Sequence, residues 1–502
     1  NLTLIYSQAS SLVILTLFSS EFNEIGFLSL ISNNIRIDLI LSYYDVFFLL
    51  FGNNWNSYIF HSSLINVIAT LTFYFFLLQI KVPKKFAVFY SLSFATLLYP
   101  VSGTPYAYLH AFALSTLGIM IFFIIYISKK NKFWTILPII YFLSFFSMQT
   151  PTVYILISIT FFSIFVIIKD KNYLMLKYLA LGTLISFSIL ICYILLTNTN
   201  IQDFIYQYFL FPITIAEGRM GSELNAYVKF ADQLNLKRIF GDFKFLHIFL
   251  IPLIIIGFIK VKNKKIDNDF YIILIFSVST VLFIYNQLLQ ANQIYIFSLI
   301  PILAAILHKN LDNIYGKKII SFIILSLILF VSIKFHLRFN VDRKFIDLEK
   351  IDKSAAFQAK EINSNFKSLK WITPYSNPEK DKLLIKKAFN ILAKEEENSL
   401  IITHYQFFST MLDKKFYILN RWYIWDDNSH PTERHKYFDF YQSKVNKSII
   451  SNNIKVIYLI GEKEEILFEK VRNYFTNVCF ESKTLVENRF STHKIVNCKD
   501  KK

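Results

Sequence analysis

The chain has 502 residues, of which 54% are hydrophobic, and its mean hydropathy is +0.42. A soluble protein of this length carries a far more polar surface, so the composition excludes a soluble globular enzyme and indicates a membrane protein. Lysines in short breaks between apolar segments contribute much of the formal net charge of +18. That charge therefore indicates membrane topology, and we expect no nucleic-acid partner.

Apolar segments of roughly the 17–25 residues that cross a bilayer as a helix recur along most of the chain. They predict a polytopic α-helical membrane protein with about 11 transmembrane helices. The segments lie at about residues 2–20, 57–80, 86–100, 107–128, 133–148, 151–169, 176–196, 246–261, 270–288, 293–308 and 319–338.

Every second break between these segments is rich in lysine: Lys81, Lys84 and Lys85; Lys129, Lys130 and Lys132; Lys169, Lys171 and Lys177; Lys260, Lys262, Lys264 and Lys265; Lys309, Lys317 and Lys318. Positive loops face the cytoplasm, so this alternation predicts a cytoplasmic N-terminus and an extracytoplasmic tail. It also predicts two long outer loops, at residues 20–56 and 197–245. Within the first of these, residues 37–51 are expected to form a helix at the membrane surface.

The tail, residues 341–502, is predicted to be a separate soluble α/β domain. Candidate strands cover 369–372, 399–403, 415–419, 454–460, 477–481 and 493–497, and helical patterns cover 377–396, 432–448 and 462–475. Cys479 lies on the first of the last two strands, and Cys498 directly follows the second. They can form a disulfide in an extracytoplasmic compartment, or they are two unrelated thiols. Cys192 lies in an apolar run and is expected to be a core residue.

Carboxylates follow the first predicted span, and a carboxylate at a membrane edge is costly unless it has a function. Glu21, Asn23 and Glu24 come directly after the span, and Asp38 and Asp45 interrupt the surface helix. A glycosyl transfer needs an ionised acid that accepts a proton from the acceptor hydroxyl or amine. Glu24 is the leading candidate, followed by Glu21, Asp38 and Asp45. The alternative interpretation is a set of solvated carboxylates with no catalytic role.

Three motifs around this loop occur in a characteristic order. Asn23-Glu24 follows the first span, a stretch that begins with Tyr43-Tyr44-Asp45 forms the last part of the surface helix, and Phe51-Gly52 ends that stretch before the second span. The order resembles the GT-C superfamily of polyprenyl-phosphate-sugar-dependent glycosyltransferases, which includes protein O-mannosyltransferases and bacterial aminoarabinose transferases. The family usually has an Asp-Glu pair at the acidic motif, so this chain departs from it at Asn23.

The resemblance implies a GT-C-like transmembrane domain at residues 1–340, followed by the extracytoplasmic domain at 341–502. It implies an inverting glycosyltransferase in the bacterial cytoplasmic membrane. The enzyme would transfer a hexose or pentose from a polyprenyl-phosphate-linked donor to a lipid, glycan or protein acceptor of the cell envelope at the outer face. It implies no cofactor beyond the donor substrate, and the sequence gives no support for a divalent metal.

The donor phosphate needs cations or fixed hydrogen-bond donors at the same face. Arg219, between two glycines in a predicted turn, is the leading candidate, followed by Lys237 and Arg238. His110 and Gln293 lie at outer span ends and can bind sugar hydroxyls, as can Gln149, Gln290 and Asn292. The alternative is that the cations are exposed loop charges with no ligand. On the same view, the other residues only form the ends of spans.

Two further functional classes fit a polytopic membrane protein of the cell envelope. One is a flippase or transporter of lipid-linked glycans, and the other is a glycan polymerase or ligase. Transporters typically have ionisable or broken helices near the midplane, whereas the predicted spans are almost free of ionisable residues. An outer catalytic acid in the first loop distinguishes the glycosyltransferase from both.

Overall fold

The chain folds into a helical bundle followed by a smaller α/β unit. The computed structural model describes residues 4–6, 55–102, 107–196, 199–220, 232, 234–290, 296–311, 317–342, 353–366, 370–372, 377–403, 405, 407–412, 414–419, 430–461, 468–469, 471–476, 478–496 and 498.

The helices of the bundle lie close to the segments predicted from the sequence. In chain order they are α1 (Trp55–Gln79), α2 (Lys84–Ser102), α3 (Ala107–Ser128), α4 (Ile136–Ser147), α5 (Gln149–Asp170), α6 (Tyr173–Leu196), α7 (Ile201–Ile205), α8 (Phe211–Met220), α9 (Lys244–Lys262), α10 (Asn268–Gln290), α11 (Leu299–Asn310) and α12 (Lys317–His336). A π-helical turn, Tyr206–Leu210, joins α7 to α8.

The outer surface of the bundle is apolar. Leu184, Phe187 and Leu195 on α6 are more than half exposed, and other helices carry similar residues. Within the described residues, seven helices are long and apolar enough to cross a membrane: α1, α3, α5, α6, α9, α10 and α12. The protein is therefore a membrane-embedded helical protein. The predicted number of about 11 spans stays a prediction, because α4 and α11 have only 12 residues each.

Successive long helices run antiparallel because their connections are short. The lysine-rich breaks all lie at one end of the bundle, which we call the lysine end. There Lys81, Lys129, Lys171 and Lys264 end α1, α3, α5 and α9 in the left-handed conformation. A cation at a helix C-terminus interacts favourably with the helix dipole. The same lysines thus stop the helices and mark one face of the bundle.

Among the seven long apolar helices of the described residues, α3 and α10 are the most buried. Rings of Phe76 on α1, Phe123 on α3 and Phe276 on α10 meet with centroids 5.5 to 6.4 Å apart. At Gly182 on α6, an added Cβ would lie 2.2 Å from the backbone oxygen of Thr135. The close approach of α6 to the turn before α4 therefore requires glycine.

The tail contains a four-stranded mixed sheet. It is built from β4 (Ser399–Thr403), β5 (Val456–Ile460), β6 (Cys479–Val486) and β7 (Phe490–Val496), in the order β4-β5-β7-β6. Strands β4 and β5 are parallel and wholly buried. Both faces are covered because α13 (Pro378–Ala393) and α14 (Phe408–Leu412) pack on one side and α15 (Phe438–Ser451) packs on the other.

A second sheet corrects the prediction for the N-terminus. Leu4–Tyr6 form β1, which pairs in parallel with β3 (Lys370–Ile372), and β3 pairs with β2 (Phe357–Gln358). The predicted span at residues 2–20 is therefore wrong at its start, since a short apolar run such as Leu-Ile-Tyr suits a strand as well as a helix. Paired strands share one side of a membrane, so residues 4–6 lie on the tail's side and not opposite to it.

The cysteines differ in environment. Cys479 on β6 and Cys498 after β7 form a disulfide, with Cα atoms 5.1 Å apart. The antiparallel pairing of β6 with β7 brings the two residues together. Cys192 is exposed on α6 and is not the core residue expected from the sequence, because α6 packs through a narrow stripe of small and apolar residues.

Candidate functional site

The end of the bundle opposite the lysines carries the tail. We call it the polar end. The segment from α7 to α8 lies on this end: the Gln149 amide donates to the Tyr208 carbonyl at 3.1 Å, and the Tyr208 hydroxyl donates to the Phe146 carbonyl at 2.6 Å. Both partners lie where α4 ends and α5 begins. The segment after α6 is therefore fixed to the bundle through hydrogen bonds.

The other side of this segment contacts the tail. The rings of Tyr206 and Phe440 stack with centroids 3.7 Å apart. The Lys444 ammonium lies 3.2 Å from the Asp203 carboxylate. Burial lowers the pKa of Lys444, and the Asp203 carboxylate acts in the opposite direction. The tail is thus connected to the polar end through α7, α15 and the π-helical turn between α7 and α8.

A second pair of contacts lies nearer the solvent. The Lys436 ammonium and the Glu217 carboxylate are 2.9 Å apart, and the hydrogen bond between them raises the pKa of Lys436. One imidazole nitrogen of His435 lies 2.8 Å from the Thr214 hydroxyl. Because Lys436 and Glu217 are both about half exposed, their ion pair adds little stability by itself. The main effect of this ion pair is therefore on the orientation of the tail relative to α8.

Below the tail, polar side chains are buried between the helices. His61 on α1 and His110 on α3 are 1% and 2% exposed, with ring centroids 5.0 Å apart. His110 was expected at a span end, where it would bind substrate or lie in the membrane interface. His110 does lie in the first turn of α3, and its ring is buried against a second histidine, His61. Imidazoles both donate and accept hydrogen bonds, so this pair can bind hydroxyl groups without adding a fixed charge.

Helix α10 contributes amides near the same height. Asn286 is fully buried, and within the described part of the chain neither its amide nitrogen nor its carbonyl oxygen has a hydrogen-bond partner. Gln287 is buried beside it in the sequence, and the Gln290 amide donates to the Thr150 hydroxyl at 2.8 Å. An unsatisfied buried amide costs about 1–3 kcal/mol, so an amide kept there suggests a ligand.

Helix geometry places these side chains within about 8 Å of one another in height along the bundle. The rings of Phe76, Phe123 and Phe276 are in contact and give α1, α3 and α10 a common reference height. The height of any other residue above it follows from the rise of about 1.5 Å per residue in an α-helix. The side chains then lie about 15 to 23 Å toward the polar end. They are, in chain order, His61, His110, Asn286 and Gln290. We call these four residues the polar layer.

Just below, a hydroxyl cluster has its hydrogen bonds satisfied internally. The Ser144 hydroxyl lies 2.8 Å from that of Ser115 and 2.7 Å from that of Thr152. It also donates to the Ala111 carbonyl at 2.8 Å. These groups join α3, α4 and α5 by hydrogen bonds within the protein, so we read them as structural.

The predicted phosphate-binding cations do not converge on this layer as far as the structure describes them. Arg219 lies within α8 and not in the predicted Gly-Arg-Met-Gly turn, and its side chain is outside the described part. Lys237 is exposed. Arg238 forms an ion pair with Asp242 at 3.2 Å, one turn along the same π-helical segment, Lys237–Asp242.

Other predicted residues lie outside the described residues: Glu21, Glu24, Asp38, Asp45 and Gln293. The expected surface helix at 37–51 also falls there, so the role of the first loop stays a prediction.

Comparisons with known proteins add no assignment: no family model matches the chain, and no curated protein matches it significantly.

Sequence reasoning missed His61, Asn286 and Gln287. A usable signal was present, because polar residues inside otherwise apolar spans are rare and often functional. His61 lies early in α1, and Asn286 and Gln287 lie before the predicted end of their span. These residues lie about one helical turn inside the bundle, so the span ends alone do not reveal them.

Proposed function

We propose that the chain is a membrane glycosyltransferase that transfers a sugar from a polyprenyl-phosphate-linked donor to a lipid, glycan or protein acceptor of the cell envelope. The observation that carries this proposal is the fully buried Asn286 amide, without a protein partner among the described residues, in a layer with the His61–His110 pair. Neutral donors and acceptors at the end of a membrane bundle suit sugar hydroxyls and a lipid phosphate.

The arrangement of the tail supports the same proposal. The tail lies over the polar end through the stacking of Tyr206 with Phe440 and the ion pair of Asp203 with Lys444. A lipid-linked donor presents its sugar at the membrane edge, which on this proposal is the space between the bundle and the tail. The disulfide between Cys479 and Cys498 supports an extracytoplasmic location for the tail in a bacterial cytoplasmic membrane.

In the proposed mechanism, the polar layer orients the donor and an acid of the first outer loop accepts the proton of the acceptor. Glu24 is the leading candidate, with Glu21, Asp38 and Asp45 as alternatives. Three acids described at the polar end are paired with cations: Asp203 with Lys444, Glu217 with Lys436 and Asp242 with Arg238. A base that is itself paired with a cation accepts a proton poorly, so none of these three is a better candidate than the acids of the first loop.

The test is transfer of a radiolabelled hexose or pentose from a polyprenyl-phosphate donor in proteoliposomes containing the full chain. We expect His110→Ala to reduce transfer about 100-fold, the loss that a misplacement of the reacting groups by about 1 Å can cause. His247→Ala is the matched control, because His247 lies at the same end but bonds to the Ile239 carbonyl at 2.9 Å, outside the polar layer. Its transfer rate should stay within about twofold of the unchanged protein.

The catalytic acid is tested separately by changing Glu21, Glu24, Asp38 and Asp45 to Ala, one at a time. One of the four variants should lose transfer while still binding the donor. If all four transfer sugar normally, the assignment of the acid to this loop is wrong.

A lipid-linked glycan flippase is the second candidate, and the buried pair of His61 and His110 favours it. Ionisable residues inside membrane spans often mark transport pathways and proton relays. Proteoliposomes distinguish the two proposals. A flippase would move an intact lipid-linked sugar to the opposite leaflet without releasing it, whereas a transferase would release the sugar onto an acceptor.

A further inference from the structure

A basic cavity lies at the lysine end, remote from the polar layer. Its volume is about 400 Å³, and it lies between α2, α11 and α12. Its lining residues are Val82, Pro83, Lys85, Phe86, His308, Lys309, Lys318, Ser321, Phe322 and Leu325. None of these residues takes part in the proposed transfer reaction.

The charge of the cavity is positive. Lys309 forms an ion pair with Asp269. Lys85 and Lys318 lie in the first turns of α2 and α12, and within the described residues neither forms an ion pair with a carboxylate. Helix N-termini also present free N–H groups and a partial positive charge. Two cations and two helix ends therefore favour an anion in the cavity.

The cavity has a fixed polar wall. His308 is 5% exposed, and its imidazole is held on both sides. One ring nitrogen lies 2.9 Å from the Tyr90 hydroxyl, and the other lies 2.8 Å from the Ser321 hydroxyl. The Phe86 ring packs 4.8 Å from the imidazole. These contacts from α2 and α12 fix the side of the cavity, so the site exists before any ligand arrives.

The other wall of the cavity is apolar. Phe322 is 71% exposed and Leu325 is partly buried, and both lie on the span side of Lys318 along α12. An exposed phenylalanine on a membrane helix faces acyl chains. The cavity therefore joins a cationic base near the end of the bundle to an apolar surface along the span. A free phosphate would use only the first of these features, whereas a phospholipid would use both.

We propose that this cavity binds the phosphate headgroup of an anionic membrane phospholipid. Lys85 and Lys318 contact the phosphate, His308 forms the wall of the headgroup site, and the acyl chains lie along Phe322. Basic pockets between transmembrane helices bind such headgroups. The proposal depends on the membrane location of the bundle and is independent of the transfer reaction.

The experiment is native mass spectrometry of the detergent-purified full chain, titrated with phosphatidylglycerol or with phosphatidylcholine as a zwitterionic comparison. We expect retained phosphatidylglycerol and little phosphatidylcholine. Lys85→Gln and Lys318→Gln should each weaken phosphatidylglycerol binding about fivefold, the usual contribution of one lysine beside an anionic lipid. Lys262→Gln is the matched control, because Lys262 is exposed at the same end but does not line the cavity.

Further measurements separate a lipid site from a free-phosphate site, and a loss of charge from a loss of folding. Inorganic phosphate at millimolar concentration should not displace the lipid, and Lys318→Arg should retain most of the binding because it keeps the charge. Unfolding temperatures measured without lipid should show that the Gln variants remain folded. The proposal is overturned if Lys262→Gln weakens binding equally, which would indicate diffuse surface charge. It is also overturned if both lipids bind alike or if phosphate displaces phosphatidylglycerol, which would indicate a free-phosphate site.

Discussion

Replacing Asn286 with leucine tests whether the polar layer is kept for a ligand at the expense of stability. Asn286 is fully buried, and its amide nitrogen and carbonyl oxygen have no partner among the described residues. Each buried unsatisfied polar group costs about 1–3 kcal/mol. Leucine keeps the branched shape but is larger, and overpacking opposes part of the gain. We therefore expect Asn286→Leu to increase the free energy of unfolding by about 1–3 kcal/mol.

Asn66→Leu is the matched control. Asn66 is 6% exposed, on α1, and its hydrogen bonds are made. Its amide donates to the Ala95 carbonyl at 3.1 Å, and its side-chain oxygen accepts from the Thr70 hydroxyl at 3.1 Å. Removing both bonds should lower the free energy of unfolding by about 1–2 kcal/mol. The same substitution at two buried asparagines should thus change stability in opposite directions.

The assay is thermal and denaturant unfolding of the purified full chain in one detergent, followed by transfer measurements in proteoliposomes. Asn286→Leu should be more stable than the unchanged protein and defective in sugar transfer. Asn66→Leu should be less stable, with transfer close to normal per folded molecule. If Asn286→Leu is destabilised as much as Asn66→Leu, the Asn286 amide has a structural role and the inference of a ligand from it fails.

Three other substitutions test the packing, the pH response and the tail contacts. Gly182→Ala should destabilise the bundle by about 1–3 kcal/mol because its Cβ would overlap a backbone oxygen, whereas Gly257→Ala, with 3.5 Å to its nearest neighbour, should be neutral or stabilising in thermal unfolding. Burial lowers the pKa of His493 to about 4, so its contribution to stability is present above pH 6.5 and is lost as pH falls toward 4. His493→Gln should therefore reduce the decrease of the unfolding temperature between pH 7 and pH 4.5. Lys444→Met should increase hydrogen exchange in α7 by loosening the tail, while the same change at the exposed Lys447 on α15 should not.

Much of the fold follows from local sequence patterns. The predicted segments from 57–80 to 319–338 coincide with helices to within a few residues, apart from the shorter α11, because long apolar runs between lysine breaks have few alternatives in a membrane. Buried strands such as Ser399–Thr403 and Val456–Ile460 are similarly marked by continuous apolar residues. The segment at residues 2–20 shows the limit of this reasoning. Its first residues are equally suited to a strand, and pairing with Lys370–Ile372 decided the outcome.

The candidate sites depended on contacts between residues far apart in the chain. His61 meets His110, Asp203 meets Lys444, and the cavity around His308 combines α2 with α11 and α12. The spacing of residues in the sequence does not predict these contacts, because they depend on how antiparallel helices align and on where the tail packs. The sequence by itself determined a lysine-marked helical membrane protein with an α/β tail. Only the tertiary structure decided which buried polar groups have protein partners, because hydrogen bonding depends on neighbours in space.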